Sequence, residues 1–300
     1  MKKIKIGTRG SQLALWQAEF TRQQLAGNGI ASELVIIKTE GDAIQHLSFD
    51  KIEGKGFFTK EIEDHLLSGD VDMAVHSMKD LPTTQPDGLV VGAVSYRENP
   101  SDWLIIRKEE VDATGLLKLK NNAIVGTSSA RRKAQLLDVR PDVQLKDLRG
   151  NVLTRLDKLR QGQYDAIILA AAGLIRLAPD TSGLEILQLN SKEFVPAPAQ
   201  GVLAFQCRYD DIETRRVLKK LHHPEVSACT NIERKVLHLA GGGCHMPLGV
   251  YCEQDELGNY HVWAAIADAW NAPLRRAQLS SGTSLNLAEK VLEKLVTCAK

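Results

Sequence analysis

Three short segments combine residue types that bind anions, transfer protons or act as nucleophiles. In GTSSARR, from Gly126 to Arg132, glycine and hydroxyl residues precede a helical pattern, so free backbone N–H groups and the positive end of the helix dipole would meet there. Arg131 and Arg132 add forked donors that suit carboxylates or phosphates. The segment lacks the glycine spacing and lysine of a P-loop. We predict an anion site; the alternative is a solvated helix face, where most arginine pairs lie.

The second segment is VHSMKDLP, from Val75 to Pro82, where an apolar strand runs directly into polar residues. A carboxylate at Asp80, close to Lys79 and to arginines, is expected to remain ionised, to stabilise a cationic intermediate and to pass protons to an amine. The alternative is that Asp80 is only a capping or turn residue. His76 is interpreted as a packed strand residue.

The third segment is GGGCHMPLG, which places Cys244 on a glycine-rich loop and predicts an accessible thiol. Cys207, Cys252 and Cys298 lie in strand or amphipathic helix patterns and are interpreted as buried apolar residues. His245 is adjacent to Cys244, but neighbours in sequence do not form a nucleophile and base pair, so a thiol protease is disfavoured.

Two stretches of alternating strands and helices must position these segments. The first 95 residues alternate short apolar strands with helical patterns, which is typical of βαβ units and a mostly parallel sheet. The same alternation starts again at about Trp103. IGTRGSQLA and VGTSSARRKA each place Gly-Thr and polar residues between a strand and a helix, and GDVDMAV and GQYDAII each place a helix-ending glycine before a strand. We infer two similar α/β lobes with a cleft between them.

Ligands of open α/β sheets bind outside the C-terminal ends of the strands. Arg9 and Ser11 form a sparser anion site in the first lobe, and Arg149 and Arg155 join the site in the second. The predicted ligand carries several negative charges.

The last part of the chain follows a different pattern. A segment that could cross back to the first lobe contains Pro196, Pro198 and Gly201, which interrupt regular secondary structure. From His222 onward the pattern is a helix, the glycine loop, strands and a final helix, which predicts a small α+β domain with an antiparallel sheet.

Composition excludes several classes of protein. The 300 residues carry 38 Lys plus Arg against 37 Asp plus Glu, so a nucleic-acid protein with a global basic field is disfavoured. Aromatic residues make up only 5% of the chain and offer few stacking platforms for bases. The longest apolar run, Ala166 to Ile175, is too short to cross a membrane. The five cysteines show no metal-binding or disulfide spacing. We predict a cytoplasmic protein without a metal site, and no feature calls for more than a monomer.

Seven motifs in this order resemble the porphobilinogen deaminase (hydroxymethylbilane synthase) family over nearly the whole chain: GTRGSQLALWQ, GKGFFTKEIE, DMAVHSMKDLP, VGTSSARRKAQL, LRGNVLTRL, YDAIILAAAGLIRL and GGGCHMPLG. The resemblance implies an enzyme that joins four porphobilinogen molecules head to tail, with release of ammonia, and hydrolyses the product to hydroxymethylbilane in heme biosynthesis. It also implies a dipyrromethane cofactor that is held covalently through a thioether to Cys244.

The resemblance also assigns roles to residues. Asp80 matches the catalytic aspartate. The implied cofactor contacts besides Cys244 are Ser11, Lys79, Asp80, Thr127, Ser128, Ser129, Arg131, Arg132 and Arg155. The implied substrate contacts are Arg9, Ser11, Lys55, Phe58, Ser77, Arg149, Arg155, Arg176 and Gln200. The segment from Gly54 to Phe58 resembles the end of the family's active-site lid.

The family architecture implies two binding-protein-like α/β domains with an inter-domain cleft, at residues 1–97 plus 197–219 and 98–196, and an α+β domain at 220–300 that carries the cofactor cysteine. Two residues depart from the family pattern: Gly241, where an acidic residue often stands, and Ala199, where glycine is common. Glycine permits backbone dihedrals that alanine resists. The alternative to the enzyme is a non-catalytic, bilobal binding protein for a polycarboxylate, which has no use for an exposed cysteine.

Overall fold

The computed structural model describes residues 3–38, 59–243 and 246–297. Within these ranges the strands are β1 Ile4–Arg9, β2 Ser32–Ile37, β3 Met73–Ser77, β4 Leu89–Val94, β5 Asp102–Arg107, β6 Ile124–Gly126, β7 Gln144–Lys146, β8 Ala166–Ala170, β9 Leu184–Gln188, β10 Leu203–Arg208, β11 Leu248–Gln254, β12 Tyr260–Ile266 and β13 Arg275–Ser281. The α-helices are α1 Gln12–Gly27, α2 Lys60–Leu67, α3 Ala130–Val139, α4 Val152–Arg160, α5 Ala171–Leu177, α6 Ile212–Lys219, α7 Pro224–Leu239 and α8 Leu287–Thr297. The fold is therefore mixed α/β, as predicted.

Two sheets have the same layout. Their strand orders are β2-β1-β3-β10-β4 and β7-β6-β8-β5-β9. In each sheet the first three strands are parallel, and the fourth runs antiparallel to both of its neighbours. Gly7 pairs with Ala74 in the first sheet and Gly126 pairs with Ile167 in the second, so the repeated Gly-Thr segments occupy equivalent strands.

The predicted parallel pairing holds for the first three strands of each sheet, whereas the two pairings made by the fourth strand are antiparallel. The antiparallel strand of the first sheet, β10, follows residue 201, and that of the second, β5, follows the segment after β4. β10 joins its sheet from a distant part of the chain, and the pairing partners of β5, the strands β8 and β9, lie far along the chain from it, so no local pattern reveals either direction. The sequence interpretation also lacks the strand β9 and the helices α5 and α6.

Helix termini follow local chemistry. The side chains of Ser11, Ser129 and Asn151 accept hydrogen bonds from backbone N–H groups and cap α1, α3 and α4. Thr59 precedes α2 but makes no side-chain capping bond. The glycine that adopts a left-handed conformation after α1 is Gly29, with φ of 71°.

Alternation along the central strands fills the cores. On β5, Leu104 and Ile106 pack into one cluster while Ile105 packs into another, because successive side chains of a strand point to opposite faces. Both faces of the second sheet are therefore covered. The small sheet β11-β12-β13 is antiparallel, as predicted, and has its own core against α7 and α8.

Contacts divide the chain into two compact units, Met1–Glu98 with Gly201–Ala228 and Asn99–Gln200 with Cys229–Lys300. The first sheet lies in one unit, and the second and third sheets lie in the other. The three-domain boundaries implied by the family resemblance remain a prediction. Among the described residues, no helix is both long enough and apolar enough to span a membrane.

Candidate anion and proton-transfer site

The loop between β6 and α3 is shaped by its own hydroxyl groups. Oγ of Ser129 accepts from the backbone N–H of Arg132 at 3.4 Å, and Oγ1 of Thr127 accepts from that of Ser129 at 3.3 Å. A Cβ atom at Gly126 would lie 2.7 Å from a ring carbon of Tyr164, so the strand can end there only with glycine. The hydroxyls predicted to touch a ligand therefore also hold the helix N-terminus in place.

Ser128 connects this loop to the next strand end. Its Oγ atom both donates to the carbonyl of Leu148 and accepts from the N–H of the same residue, each at 3.0 Å. The loop that carries Arg149 is thereby tied to the loop that precedes α3.

Arg131 and Arg132 are buried and share one carboxylate. Nη1 of Arg131 donates to Oδ2 of Asp102 at 2.7 Å and to the carbonyl of Val195 at 2.9 Å. Nε and Nη2 of Arg132 donate to Oδ1 of Asp102 at 3.2 and 2.7 Å, and its Nη1 donates to the carbonyl of Ile168. The pair does not lie on a solvated helix face, so that alternative is wrong.

The charge of this cluster is not balanced. Asp102 is 0% exposed, and Arg131 and Arg132 are 5% and 6% exposed. Burial alone would raise the pKa of Asp102, but the two guanidinium charges outweigh that effect and hold the pKa well below its usual range. Two positive charges and one negative charge leave one net positive charge, which suits an anionic ligand.

The parallel strands β6, β7 and β8 bring further cations to one edge of the second sheet, because their C-terminal ends lie on the same side. Arg149 lies in the loop after β7, and Nε of Arg155 on α4 donates to the carbonyl of Gly150 at 2.7 Å. Arg176 is buried on α5, which directly follows β8. Arg149 and the start of α4 thus lie near the C-terminal ends of the parallel strands, and contact of these arginines with a ligand stays a prediction.

The first sheet positions its site residues in the same way. β1, β2 and β3 are parallel, so Arg9 at the end of β1 and Ser77 at the end of β3 lie at one edge. Nε2 of Gln17 on α1 donates to Oγ of Ser77 at 2.9 Å. Ser11, two residues after the end of β1, caps α1.

Asp80 lies on a single turn of 3₁₀ helix, Met78–Asp80, that begins where β3 ends. The flanking residues Met78 and Leu81 are 3% and 2% exposed and anchor the turn, and the N–H of Met78 donates to the carbonyl of Val202 at 2.9 Å. The Asp80 side chain is exposed and forms no hydrogen bond or ion pair with the residues that the structure describes. A rigid turn therefore presents an uncommitted carboxylate beside Lys79.

Gln200 is buried, and its side chain amide is engaged within the protein. Its Nε2 atom lies 2.7 Å from the carbonyl oxygen of Pro100 and 3.0 Å from Oδ1 of Asp102. Ala199 has φ of 61°, which is a left-handed conformation. Glycine adopts this conformation more readily than alanine, which explains why glycine is common in the family at this position. A substrate contact by Gln200 remains a prediction.

The predicted residues Lys55, Phe58 and Cys244 lie outside the described residues. Cys244 comes between the end of α7 at Leu239 and the start of β11 at Leu248. Gly241, in the same connection, has φ of 72°, which favours glycine there. Cys207 and Cys252 are buried as predicted, and burial raises the pKa of the Cys207 thiol to about 11.

The sequence interpretation does not include Asp102. A signal exists, because an acidic residue opens the apolar strand DWLIIR. A carboxylate that is drawn into a core needs a cationic partner. Local sequence alone does not show that the partners are the two arginines of α3.

Comparison with known proteins shows extensive similarity. Residues 4–216 match the family model "Porphobilinogen deaminase, dipyromethane cofactor binding domain". The chain is 46% identical over 264 residues to a porphobilinogen deaminase of a Nitratiruptor species, an alignment that covers 88% of this chain and 83% of that protein. Identity is 42% to the Nitratidesulfovibrio vulgaris protein of the same name, with 93% and 87% covered, and 41% to that of Desulforamulus reducens, with 98% and 94% covered.

Proposed function

Because this chain belongs to the porphobilinogen deaminase family, we propose that it condenses four porphobilinogen molecules head to tail, releases ammonia at each addition and hydrolyses the product to hydroxymethylbilane. This activity would make it a transferase of heme biosynthesis. The structural observation that best supports the proposal is Asp80, an exposed carboxylate on an anchored turn beside Lys79.

The residues of the second sheet fit a polycarboxylate. Porphobilinogen carries an acetate and a propionate group, and a growing chain accumulates both. The buried Asp102, Arg131 and Arg132 cluster has one net positive charge, and Nε and Nη2 of Arg131 donate no hydrogen bond to any residue that the structure describes. We assign to this cluster, to Arg155 and to the hydroxyl residues Thr127, Ser128 and Ser129 the binding of the cofactor's carboxylates.

Dipyrromethane, when bound through Cys244, supplies the terminal pyrrole carbon to which the first substrate unit is joined. Asp80 would stabilise the positive charge that develops on the substrate as its amine departs as ammonia. It would then accept the proton that the attacked pyrrole carbon loses when the new carbon–carbon bond has formed. At the same sheet edge, Lys79 would bind a carboxylate of the cofactor and Arg9 would bind a carboxylate of the substrate, with Ser11 and Ser77 as hydroxyl contacts.

The same proposal assigns the remaining substrate contacts. Arg149, Arg155 and Arg176 would hold the carboxylates of added units, with Gln200, Lys55 and Phe58 as additional substrate contacts. We also propose that the enzyme is cytoplasmic and monomeric. Light scattering on the purified protein tests the monomeric state. The bilobal binding protein is the weaker hypothesis, since the family match includes a cofactor domain.

Intact-mass measurement tests the proposal. Wild-type protein is expected to exceed its sequence mass by two pyrrole units, and Cys244→Ser is expected to abolish the excess. Cys229→Ser is the control, because Cys229 is a buried thiol in the same unit and its replacement should leave the excess intact. Wild-type protein without an adduct, which binds porphobilinogen stoichiometrically and releases no ammonia, would instead establish the binding-protein hypothesis.

A further inference from the structure

The carboxylate of Asp102 is held by more donors than an ordinary ion pair supplies. Oδ1 accepts from Nε and Nη2 of Arg132 and from Nε2 of Gln200, and Oδ2 accepts from Nη1 of Arg131. We propose that Asp102 is a positioning residue, which orients Arg131 so that one edge of its guanidinium group receives a carboxylate of the pyrrole chain. This inference rests on the proposed function and adds to it a residue that never touches the ligand.

The geometry of Arg131 determines which edge is available. Its Nη1 atom has two hydrogens in the guanidinium plane, and both acceptors, Oδ2 of Asp102 and the carbonyl of Val195, lie within 2.9 Å of Nη1. Two acceptors on one nitrogen fix the orientation of the plane. The Nε–Nη2 edge therefore points away from them, and within residues 3–38, 59–243 and 246–297 it donates to no acceptor. Two parallel N–H groups on one edge match a carboxylate bidentately.

Arg132 has a different role in the cluster. Each of its three guanidinium nitrogens donates inside the protein, two of them to Oδ1 of Asp102 and one to the carbonyl of Ile168. Its charge nevertheless contributes to the net positive charge of the cluster. We therefore infer that Arg132 stabilises Asp102 while Arg131 presents the ligand-binding edge.

Gln200 prevents Asp102 from turning toward a ligand. Its Nε2 atom is held by the backbone carbonyls of Pro100 and Ser101 and simultaneously approaches Oδ1 of Asp102 at 3.0 Å. Asp102 is also completely buried. A role as a catalytic acid or base is thus excluded by geometry, and its influence on the ligand must pass through Arg131.

The test uses substitutions that separate charge from position. Asp102→Asn removes the charge, Asp102→Glu keeps the charge but moves the carboxylate by one methylene, and Arg131→Lys keeps the cation but removes the planar edge. In each folded variant, the fraction of purified chains that carries the two-pyrrole adduct, read by intact mass, is expected to fall at least fivefold. The KM for porphobilinogen of the remaining holoenzyme is expected to rise more than kcat falls.

Asp142→Asn is the matched control. Asp142 forms a bidentate pair with Arg140, with both oxygen–nitrogen distances at 2.7 Å, away from the strand ends of the site. This variant should retain the wild-type adduct fraction and KM. Circular dichroism and thermal unfolding report whether each variant is folded.

The outcomes separate this inference from the proposed function. If the wild type carries the adduct but a folded Asp102→Glu or Asp102→Asn variant keeps the wild-type adduct fraction and KM, the positioning role is overturned and the proposed function stands. If neither Asp102 variant folds, Arg131→Lys decides, and wild-type behaviour there overturns the inference. A wild-type protein without the adduct overturns both.

Discussion

Nε2 of His76, on the strand β3 that leads to Asp80, lies 3.0 Å from Oε1 of Gln206 on the neighbouring strand β10, and both side chains are buried. Nε2 of Gln206 donates to Oε1 of Glu63 at 3.1 Å and to Oε1 of Gln85 at 2.9 Å. A carboxylate can only accept, which sets the orientation of the Gln206 amide and requires that His76 donate through Nε2. His76 is thus a neutral, packed strand residue, as predicted.

This arrangement predicts a pH-dependent stability. Burial, together with the positive charge of Arg9, lowers the pKa of His76 to about 4 from an ordinary value of 6.5. The unfolded chain therefore binds a proton at a higher pH than the folded chain does, so the contribution of His76 is complete above about pH 6.5 and is lost as the pH falls toward 4. Between pH 7 and pH 5 the loss should be roughly 2 kcal/mol.

Urea unfolding of His76→Gln at the two pH values measures this contribution. The variant should lose less stability than the wild type over this interval, by the amount assigned to His76. An unchanged pH dependence in His76→Gln would show that other groups cause it.

Asp80→Asn should abolish most turnover but keep the cofactor. The amide has nearly the shape of the carboxylate but can neither accept a proton nor balance a cation, so we expect kcat to fall about 100-fold or more. The measurement is porphobilinogen consumption together with intact mass. Asp87→Asn, another exposed aspartate of the same segment, should have wild-type kcat. Near-normal turnover in Asp80→Asn would remove Asp80 from the mechanism.

Two substitutions at left-handed positions should change stability in opposite directions. Ala178 directly follows α5 with φ of 43° and is exposed, so Ala178→Gly relieves an unfavourable backbone conformation without a loss of buried surface. It should raise the free energy of unfolding by about 0.5 to 1 kcal/mol. Gly29 has φ of 71° and open space around its Cα atom, so Gly29→Ala should lower the free energy by about 1 kcal/mol. Chemical denaturation measures both, and effects of the same sign would contradict the interpretation.

The equivalent glycines of the two sheets should differ in tolerance to alanine. At Gly126 a new Cβ atom would lie 2.7 Å from the ring of Tyr164, whereas at Gly7 the nearest atom would be a methyl of Val71 at 3.1 Å. Gly126→Ala should therefore cost about 1 to 3 kcal/mol, and Gly7→Ala less. Thermal unfolding of the two variants gives the order, and a larger loss for Gly7→Ala would contradict it.

Much of the site could be predicted because it depends on short-range rules. The caps at Ser11, Ser129 and Asn151 follow from hydroxyl and amide groups before helical patterns. The strand ends follow from apolar runs that stop at polar residues. The matching order of these motifs in the two halves also predicted a repeated layout, which the two strand orders confirm.

The missing parts depend on contacts between distant residues. β10 pairs with β3 and β4 across more than a hundred residues of sequence, so nothing local indicates that it runs antiparallel. The short, polar α6 follows the same strand and has little apolar surface to mark it. Likewise, the sequence shows Gln206 only as a polar residue on an apolar strand. Its hydrogen bonds with His76 and Glu63 become visible only in the tertiary structure.

The sequence by itself determined the family, the two repeated halves and the residue types of the site, because motifs and their order are local properties of the chain. Only the tertiary structure decided how the arginines are used. Arg131 and Arg132 are adjacent in sequence and chemically identical, but the strand that carries Asp102 approaches them from one side only. Because a buried carboxylate fixes whichever guanidinium nitrogens face it, one arginine keeps an uncommitted edge and the other does not.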